Sequence, residues 1–422
     1  MDRILNKFSK RQKSHHDSNS IIGKYVEIKK SSKEEFLKFL DEEPNNIQRT
    51  IYVHTPFCDK ICSFCNMNRK QIDGSLEPYA DYMVSEFNKY GQTNYFKKSK
   101  FDVIFFGGGT PTVYKKDQLK KILSAVQKNV NLADNYEFTF ETTLHNLTDE
   151  KLQIMMKYGV NRLSVGIQTF SDTGRIFYNR TFTKNIAIEK LKNLQEKFNG
   201  DVCVDIIYNF PNETIEEVIE DARILKKLKI SSVSFYSLMV HEGSRLSKDI
   251  KENTTTISDD VKKDYVLYRA FVDEMLNDEN YYILELTKIA RKAGDNYKYI
   301  KVRNTGGDTF PIGMGAGGAV GNIGIFNMNK DMSFFMKYNE FSNRFSRLSG
   351  VMQFPNILKS DIKKFLTEEE YSLFVEKMNI YKDNDFIRED EKSYQLTKDG
   401  IFWGNNISSE VIIYILEKTM KK

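Results

Sequence analysis

The sequence predicts an α/β chain: a partial (β/α)6 TIM-like barrel followed by a C-terminal α+β region that ends in a winged-helix-like subdomain. Three observations carry that reading. Six short runs rich in β-branched and aromatic residues recur between residues 48 and 290, each followed by a longer segment with helical spacing. The alternation then stops, and a glycine-rich stretch, NTGGDTFPIGMGAGGAVGNIG, holds eight of the chain's 23 glycines. Finally, 422 residues suffice for two to three domains of roughly 150 residues each.

Taken in order, residues 1–47 are polar and charged, and are expected to form a mobile arm or a peripheral helix such as SKEEFLKFLDEE. No function is assigned there to His15 or His16. The barrel is expected over 48–290, with strands in TIYVHT from Thr50, DVIFFGGG from Asp102, YEFTFET from Tyr136, RLSVGIQTF from Arg162, DVCVDIIYNF from Asp201 and SSVSFYSLMV from Ser231. Helical candidates separate them, among them LEPYADYMVSEFNKY, KDQLKKILSAVQKN and ETIEEVIEDARILKKL. Thr148 before two acids marks a helix start and Gly159 a helix end. Strand and helix in alternation give right-handed βαβ units and a parallel sheet, with chemistry at the C-terminal strand ends. Residues 291–422 are expected to cover the substrate; from Leu366 to Ile407 they read as short helices, a hairpin and another helix.

Composition narrows the function. Lys and Arg number 63 against 58 Asp and Glu, a formal charge of +5, far short of the dense basic character of a dedicated nucleic-acid binder. The winged-helix outline also lacks a basic recognition helix, so a lid over a cavity is the better account and no nucleic-acid partner is expected. Four cysteines are too few for a disulfide scaffold. No signal-peptide core and no run of 18 apolar residues is found, so a cytoplasmic protein with no membrane attachment is expected.

Chemistry concentrates in HTPFCDKICSFCN, directly after the first strand, where Cys58, Cys62 and Cys65 are spaced C-x3-C-x2-C. Three thiolates on one loop can converge on a metal centre, yet a closed structural zinc site needs four ligands. His54 is a hypothetical fourth, although its place within the strand makes that geometry awkward. An iron–sulfur cluster usually takes four cysteines, so a triad leaves one iron open to a small molecule. Cys203, alternating with Asp205 along a strand, reads as an inert core residue.

These residues resemble the radical S-adenosylmethionine superfamily, and within it the branch containing oxygen-independent coproporphyrinogen III oxidase. The matching segments are IYVHTPFCDKICSFC, FFGGGTPT, FTFETT, RLSVGIQTF, Tyr178-Asn179-Arg180, DIIYNFPNET and FYSLMV. The resemblance implies a four-iron four-sulfur cluster on Cys58, Cys62 and Cys65, with S-adenosylmethionine chelated to the fourth iron and cleaved to a 5'-deoxyadenosyl radical. It implies cofactor contacts from Tyr52, Phe64, Gly108, Gly109, Thr110, Glu141, Gln168, Arg180, Asp205 and Met239. Each role has a physical basis. Gly107, Gly108 and Gly109 let backbone approach a ligand and offer carbonyls to an ammonium group. Glu141 and Gln168 suit ribose hydroxyls, the Arg180 fork suits a carboxylate, and Phe64 suits an adenine.

Within the branch three readings compete. The oxidase carries a fourth cysteine two places after the triad, where Met67 stands here. Heme-chaperone relatives share the triad without that cysteine. The anaerobic heme-degrading relatives, methyltransferases called anaerobilin synthases, resemble this chain in PIGMGAGGAVGNIG and in LTKDGIFWGNN with the sole tryptophan, Trp403. That resemblance favours heme degradation: methyl or adenosyl transfer to the porphyrin, ring opening without oxygen, and release of iron. Heme is then the substrate and a low-potential protein such as flavodoxin the electron donor. Candidate substrate residues are His54, His145, His241, Arg303, Phe310 and Met314, with Phe235 and Tyr236 as further walls and Arg291 and Lys301 as further cations.

Overall fold

The computed structural model describes residues 7–25 and 28–420. Residues 1–6 and 26–27 of the expected arm, the side chain of His16, and residues 421–422 lie outside the described residues. The strands are β1 (Ile28–Lys30), β2 (Arg49–Thr55), β3 (Phe57–Cys58), β4 (Lys70–Gln71), β5 (Phe101–Gly108), β6 (Leu132–Thr142), β7 (Arg162–Gln168), β8 (Asp201–Tyr208) and β9 (Ser232–Ser237). They continue as β10 (Tyr281–Glu285), β11 (Lys288–Arg291), β12 (Asp308–Ile312), β13 (Gly317–Val320), β14 (Ile323–Asn327), β15 (Ser333–Tyr338), β16 (Asn356–Leu358), β17 (Ile387–Glu389) and β18 (Ser393–Leu396).

The six expected barrel strands are β2, β5, β6, β7, β8 and β9, which pair in that order and all run parallel. Helices join them, and the expected start and end signals act locally. The Thr148 hydroxyl accepts from the Lys151 N–H to open the helix Asp149–Lys157, and Gly159 follows it at φ +87°.

The sheet does not stop at six strands; it has 13. β12 joins β2 in parallel, and β13, β14, β15 and β1 extend that edge antiparallel. At the other edge β11 and β10 add antiparallel to β9. The glycine-rich stretch thus belongs to the main sheet. Beyond it, a three-stranded sheet with β18 between β16 and β17 packs with the helices Glu368–Asp383 and Gly404–Thr419, the winged-helix arrangement.

Period-two alternation sorts the barrel strands into two faces. Ile51, Val53, Ile104, Phe106, Phe138 and Phe140 face the helices and are buried in the main core. The other face carries Tyr52, Phe105, Thr139 and Arg162, which are register partners across β2, β5, β6 and β7. Inward positions of such barrels ordinarily hold branched apolar side chains that fill the interior. Here the inward face is polar and aromatic, and it needs partners.

The segment after β11 supplies them. Arg162 forms a bidentate pair with Asp295, both contacts at 2.9 Å, with side chains 2% and 1% exposed. Asp295 also accepts from Cys203 at 3.2 Å, Ser232 at 2.5 Å and the Tyr297 N–H at 2.8 Å. The guanidinium lies 4.4 Å from the Tyr297 ring centre and the Lys288 ammonium 4.5 Å from it. Burial works against the Asp295 anion, yet Arg162 holds its carboxyl below the usual range. This polar plug floors the barrel, and Cys203 is one of its donors.

The described part of the N-terminal arm is packed. Arg11 donates to the Tyr208 hydroxyl at 2.7 Å, Asp264 at 3.0 Å and the Phe402 carbonyl at 3.0 Å, and lies 3.9 Å from the Phe402 ring centre. Lys13 donates to the Leu238 carbonyl at 3.0 Å. Gln12 N–H donates to Asn406, whose amide donates in turn to the Lys10 carbonyl, each at 2.8 Å. The arm therefore straps the end of β8 to the C-terminal helices. Among the described residues no helix is long and apolar enough to cross a membrane.

Asp295→Ala removes the bidentate partner of buried Arg162 and leaves it only the more distant Glu137 carboxylate, at 4.0 Å, as an ionic partner, and is expected to lower unfolding stability by about 3 kcal/mol. A double variant, Arg162→Met with Asp295→Leu, should recover most of that loss in denaturant titration; failure to recover would assign the loss to the Ser232 and Tyr297 contacts instead.

Candidate functional site

The cysteine loop leaves the C-terminal end of β2 and is closed by short pairing of β3 with β4. Phe57 is fully buried and packs edge-on against Tyr79, ring centres 5.3 Å apart. The end of β5 locks the loop: Gly109 N–H donates to the Thr55 carbonyl at 2.7 Å and Thr110 N–H to the Phe57 carbonyl at 2.8 Å. A Cβ on Gly109 would meet the Phe57 carbonyl oxygen at 2.5 Å, and Gly108 sits at φ +108° against the His54 ring. Only glycine fits both places. The other side of the loop is held by residues that sequence reasoning missed. Asn179, left-handed at φ +60°, donates to the Ile61 carbonyl at 2.9 Å, and Ser63 donates to the Phe177 carbonyl at 2.8 Å. An asparagine just past a helix end was the available signal.

Cys58 is buried, and Cys62 and Cys65 are half-buried. Burial pushes the Cys58 thiol up to about 11 and also raises Cys65. Thr110 Oγ1 lies 3.6 Å from Cys58 Sγ, and Arg180 Nη1 lies 3.1 Å from Cys62 Sγ. The other Arg180 terminal nitrogen donates to the Gly166 carbonyl. Both ring nitrogens of His54 are engaged, Nε2 at 2.8 Å from the Asn68 carbonyl and Nδ1 at 3.1 Å from the Tyr52 hydroxyl. It therefore does not complete a zinc site. Among the described residues no three His, Cys, Asp or Glu side chains group to hold one metal ion.

Around the loop stand the strand-end residues. Glu141 accepts the Gly108 N–H at 3.1 Å, and burial, reinforced by neighbouring Asp205, pushes its carboxyl up to about 8. Asp205 accepts from Ser164 at 3.2 Å and is the register partner of Gly166. Gln168 ends β7 at φ +70° with its Oε1 buried and without a partner, and Arg180 Nε is likewise buried and unpartnered. Such atoms are expensive to leave unpaired. Three thiols on one loop, two orphaned polar atoms beside it and a glycine backbone cradle together fit an iron–sulfur cluster and a polar ligand resting on it.

Against this cluster of residues opens a cavity of about 990 Å³, at the upper end of small-molecule pockets. Tyr52, His54, Glu141, Met239, His241 and Arg303 line it. Phe105 and Tyr299, stacked with centroids 4.5 Å apart, add a wall beside Tyr52. Ser14, His15 and Asp17 of the strap also line it, and His15 Nε2 lies 3.3 Å from Arg303. The polar arm gave no sequence signal for that role.

Several expected substrate residues lie elsewhere. Phe310 is in register with Ile51, so parity turns it outward; it is 1% exposed among Phe36, Tyr90 and Phe96. Phe235 is outward for the same reason and stacks on Phe271 at 3.7 Å. Met314 packs against the main core. His145 faces Asp59 at 3.3 Å in a separate small pocket that also holds Arg180. Tyr236, Arg291 and Lys301 do not line the cavity. Phe64 packs edge-on against Tyr178 at 5.3 Å.

Known proteins complete the picture. The family profile of the Radical SAM superfamily matches residues 52–244. The heme chaperone HemW of Lactococcus lactis subsp. lactis is 24% identical over 395 residues, covering 88% of this chain and 98% of that protein. The anaerobilin synthase of Escherichia coli O157:H7 is 24% identical over 282 residues, covering 66% of this chain and 63% of that protein, just under two thirds of its length. The solved coproporphyrinogen III oxidase HemN of Escherichia coli superposes with a TM-score of 0.76 at 18% identity, covering 92% of this chain and 94% of that one, a likeness of fold. The cysteine loop, the parallel strands and these matches mark residues 52–244 as a radical SAM domain, a kind of domain that works with a four-iron four-sulfur cluster and S-adenosylmethionine.

Proposed function

We propose that the protein degrades heme without oxygen, alkylating the porphyrin with a methyl or adenosyl fragment of S-adenosylmethionine, opening the ring and releasing iron. The observation that carries this reading is the shared wall: Tyr52, His54 and Glu141 stand at the cofactor residues and line the 990 Å³ cavity at once. A large planar ligand there lies within reach of chemistry begun at the cysteine loop. The heme-named relatives support its identity.

When bound, the cluster supplies the electron for reductive cleavage of the sulfonium. In this reading Cys58, Cys62 and Cys65 hold it, and Thr110 and Arg180 donate toward the sulfurs of Cys58 and Cys62. Gly107, Gly108 and Gly109 bring backbone to the ligand's ammonium, and Arg180 turns its free Nε to the carboxylate. Gln168 and Glu141 bind ribose hydroxyls; Glu141, protonated at neutral pH in this environment, can donate as well as accept. Asp205, Tyr52, Phe64 and Met239 complete the cofactor contacts. The Tyr52, Phe105 and Tyr299 rings offer a flat apolar wall to the macrocycle. Arg303 takes a propionate, and His241, whose ring is half-buried on the cavity wall, ligates iron. In this reading the region from residue 291 covers the substrate, residues 48–290 run the radical chemistry, and Ser14, His15 and Asp17 of the arm stand at the mouth.

A second reading, a heme carrier without ring chemistry, is favoured by the near-complete span of the HemW match. Anaerobic mixing of cluster-loaded protein with heme, S-adenosylmethionine and a strong reductant separates the readings. Loss of the Soret band with iron release, dependent on S-adenosylmethionine, is expected. A persisting Soret band with tight heme transfers the reading to a carrier, and no heme binding returns it to porphyrinogen chemistry.

Cys62→Ala is expected to abolish the broad visible absorption of the cluster and all S-adenosylmethionine cleavage. Arg180→Ala should weaken S-adenosylmethionine binding about tenfold or more while iron content holds; loss of iron would make Arg180 a support for Cys62 alone. His241→Ala should weaken heme binding about tenfold and shift the Soret maximum. Burial lowers the His241 pKa below the ordinary 6.5, so neutral imidazole is present at pH 7. Heme affinity should therefore stay level from pH 8 to 6.5 and fall only below that, and the alanine variant should lose the fall.

A further inference from the structure

Beyond the cavity, a second groove of about 680 Å³ runs between the helices Lys33–Asp41 and Leu76–Tyr90 and the β14–β15 hairpin. Its lining holds Lys30, Lys33, Lys89 and Lys330 against Glu86 and Asp331. Glu86 is already paired with Lys89 at 3.1 Å, so the surface field of the groove is positive. The hairpin beside it exposes Met328, Met332 and Phe334 at 48%, 42% and 50%. Single exposed apolar residues are ordinary, but three on one hairpin rimmed by ammonium groups mark a contact surface.

Two connections run from this groove to the cysteine loop. Tyr82 lines the groove and packs on Tyr79 with ring centres 5.6 Å apart; Tyr79 packs on Phe57 at 5.3 Å, and Phe57 is the chain neighbour of Cys58. On the hairpin side, the Asn327 carbonyl accepts the Gly315 N–H at 2.6 Å. Gly315 rests on Asn68, which follows Cys65 by three residues; a Cβ there would meet the Asn68 amide at 2.5 Å.

We propose that this groove docks an acidic one-electron carrier protein and is the surface through which the cluster is reduced. The carrier's carboxylates face Lys30, Lys33 and Lys330, its apolar rim meets Met332 and Phe334, and its redox group lies over Tyr82. At this surface the carrier is oxidised by one electron and the cluster is reduced by one; no bond forms or breaks. Charge alone would also suit an anionic lipid headgroup, but a lipid has no use for the packed route from Tyr82 to the neighbour of Cys58. The inference rests on the reductive chemistry of the superfamily and not on the identity of the ligand in the large cavity.

The test uses the full cluster-loaded chain with reduced flavodoxin and a low-potential ferredoxin as probes. Wild-type binding to at least one of them is expected to weaken steeply between about 0.05 and 0.3 M salt. A triple variant, Lys30→Glu, Lys33→Glu and Lys330→Glu, should bind that carrier about tenfold more weakly and lose most of the salt dependence. Carrier-driven cleavage of S-adenosylmethionine should fall in parallel while dithionite-driven cleavage stays at the wild-type rate. Phe334→Ser, which leaves all charges in place, should weaken binding at every salt concentration. Unchanged carrier affinity in the triple variant overturns the proposal, as does a wild-type chain that binds neither carrier. Loss confined to binding of phosphatidylglycerol vesicles overturns it in favour of a membrane. None of these readouts needs heme, so a failed heme assay leaves them standing.

Discussion

Everything above the barrel floor depends on one buried ion pair. A barrel whose inward face carries Arg162, Thr139 and Ser232 cannot close on apolar packing, and a lone guanidinium in that interior would be strongly destabilising. Asp295 resolves this from a segment outside the barrel strands. By doing so it fixes Tyr297, and with it the short helix that places Tyr299 on Phe105 and Arg303 at the cavity. The floor and the substrate wall are thus one construction, and the ion pair that holds it has no need to touch a ligand.

The rim obeys a second constraint, which is steric. The cysteine loop and the end of β5 approach so closely that Cβ atoms at Gly108 and Gly109 have nowhere to go. Their contacts, with the Asn179 and Ser63 bonds opposite, hold the loop from both sides. Gln168 and Arg180 keep unpaired atoms in that rim.

Much of this was legible in the sequence because it is local. Six strands announced themselves by composition and the cysteines by their spacing, while Glu141 and Gln168 came into view through a family resemblance. The failures share a cause. Phe310 and Phe235 have the chemistry of a substrate wall, but which face they take depends on register with Ile51 and Ile206, which no single strand reveals. His145 follows a strand end as His241 does, yet Asp59, far away in sequence, holds it in a separate pocket. The arm is polar because its partners are polar: Tyr208, Asp264 and Asn406 lie hundreds of residues on. A segment whose anchoring contacts are long-range looks like linker in a linear text.

That strap has a consequence for biosynthesis. Its residues leave the ribosome long before Phe402, Asn405, Asn406 and Ser409, the residues that seat it. The barrel strands are synthesised by Ser237, while the floor waits for Asp295 and the arm for its C-terminal partners. A chain truncated before Phe402 would keep the cysteine loop but lose the contacts that seat the arm, and with them the placement of Ser14 and His15 at the cavity.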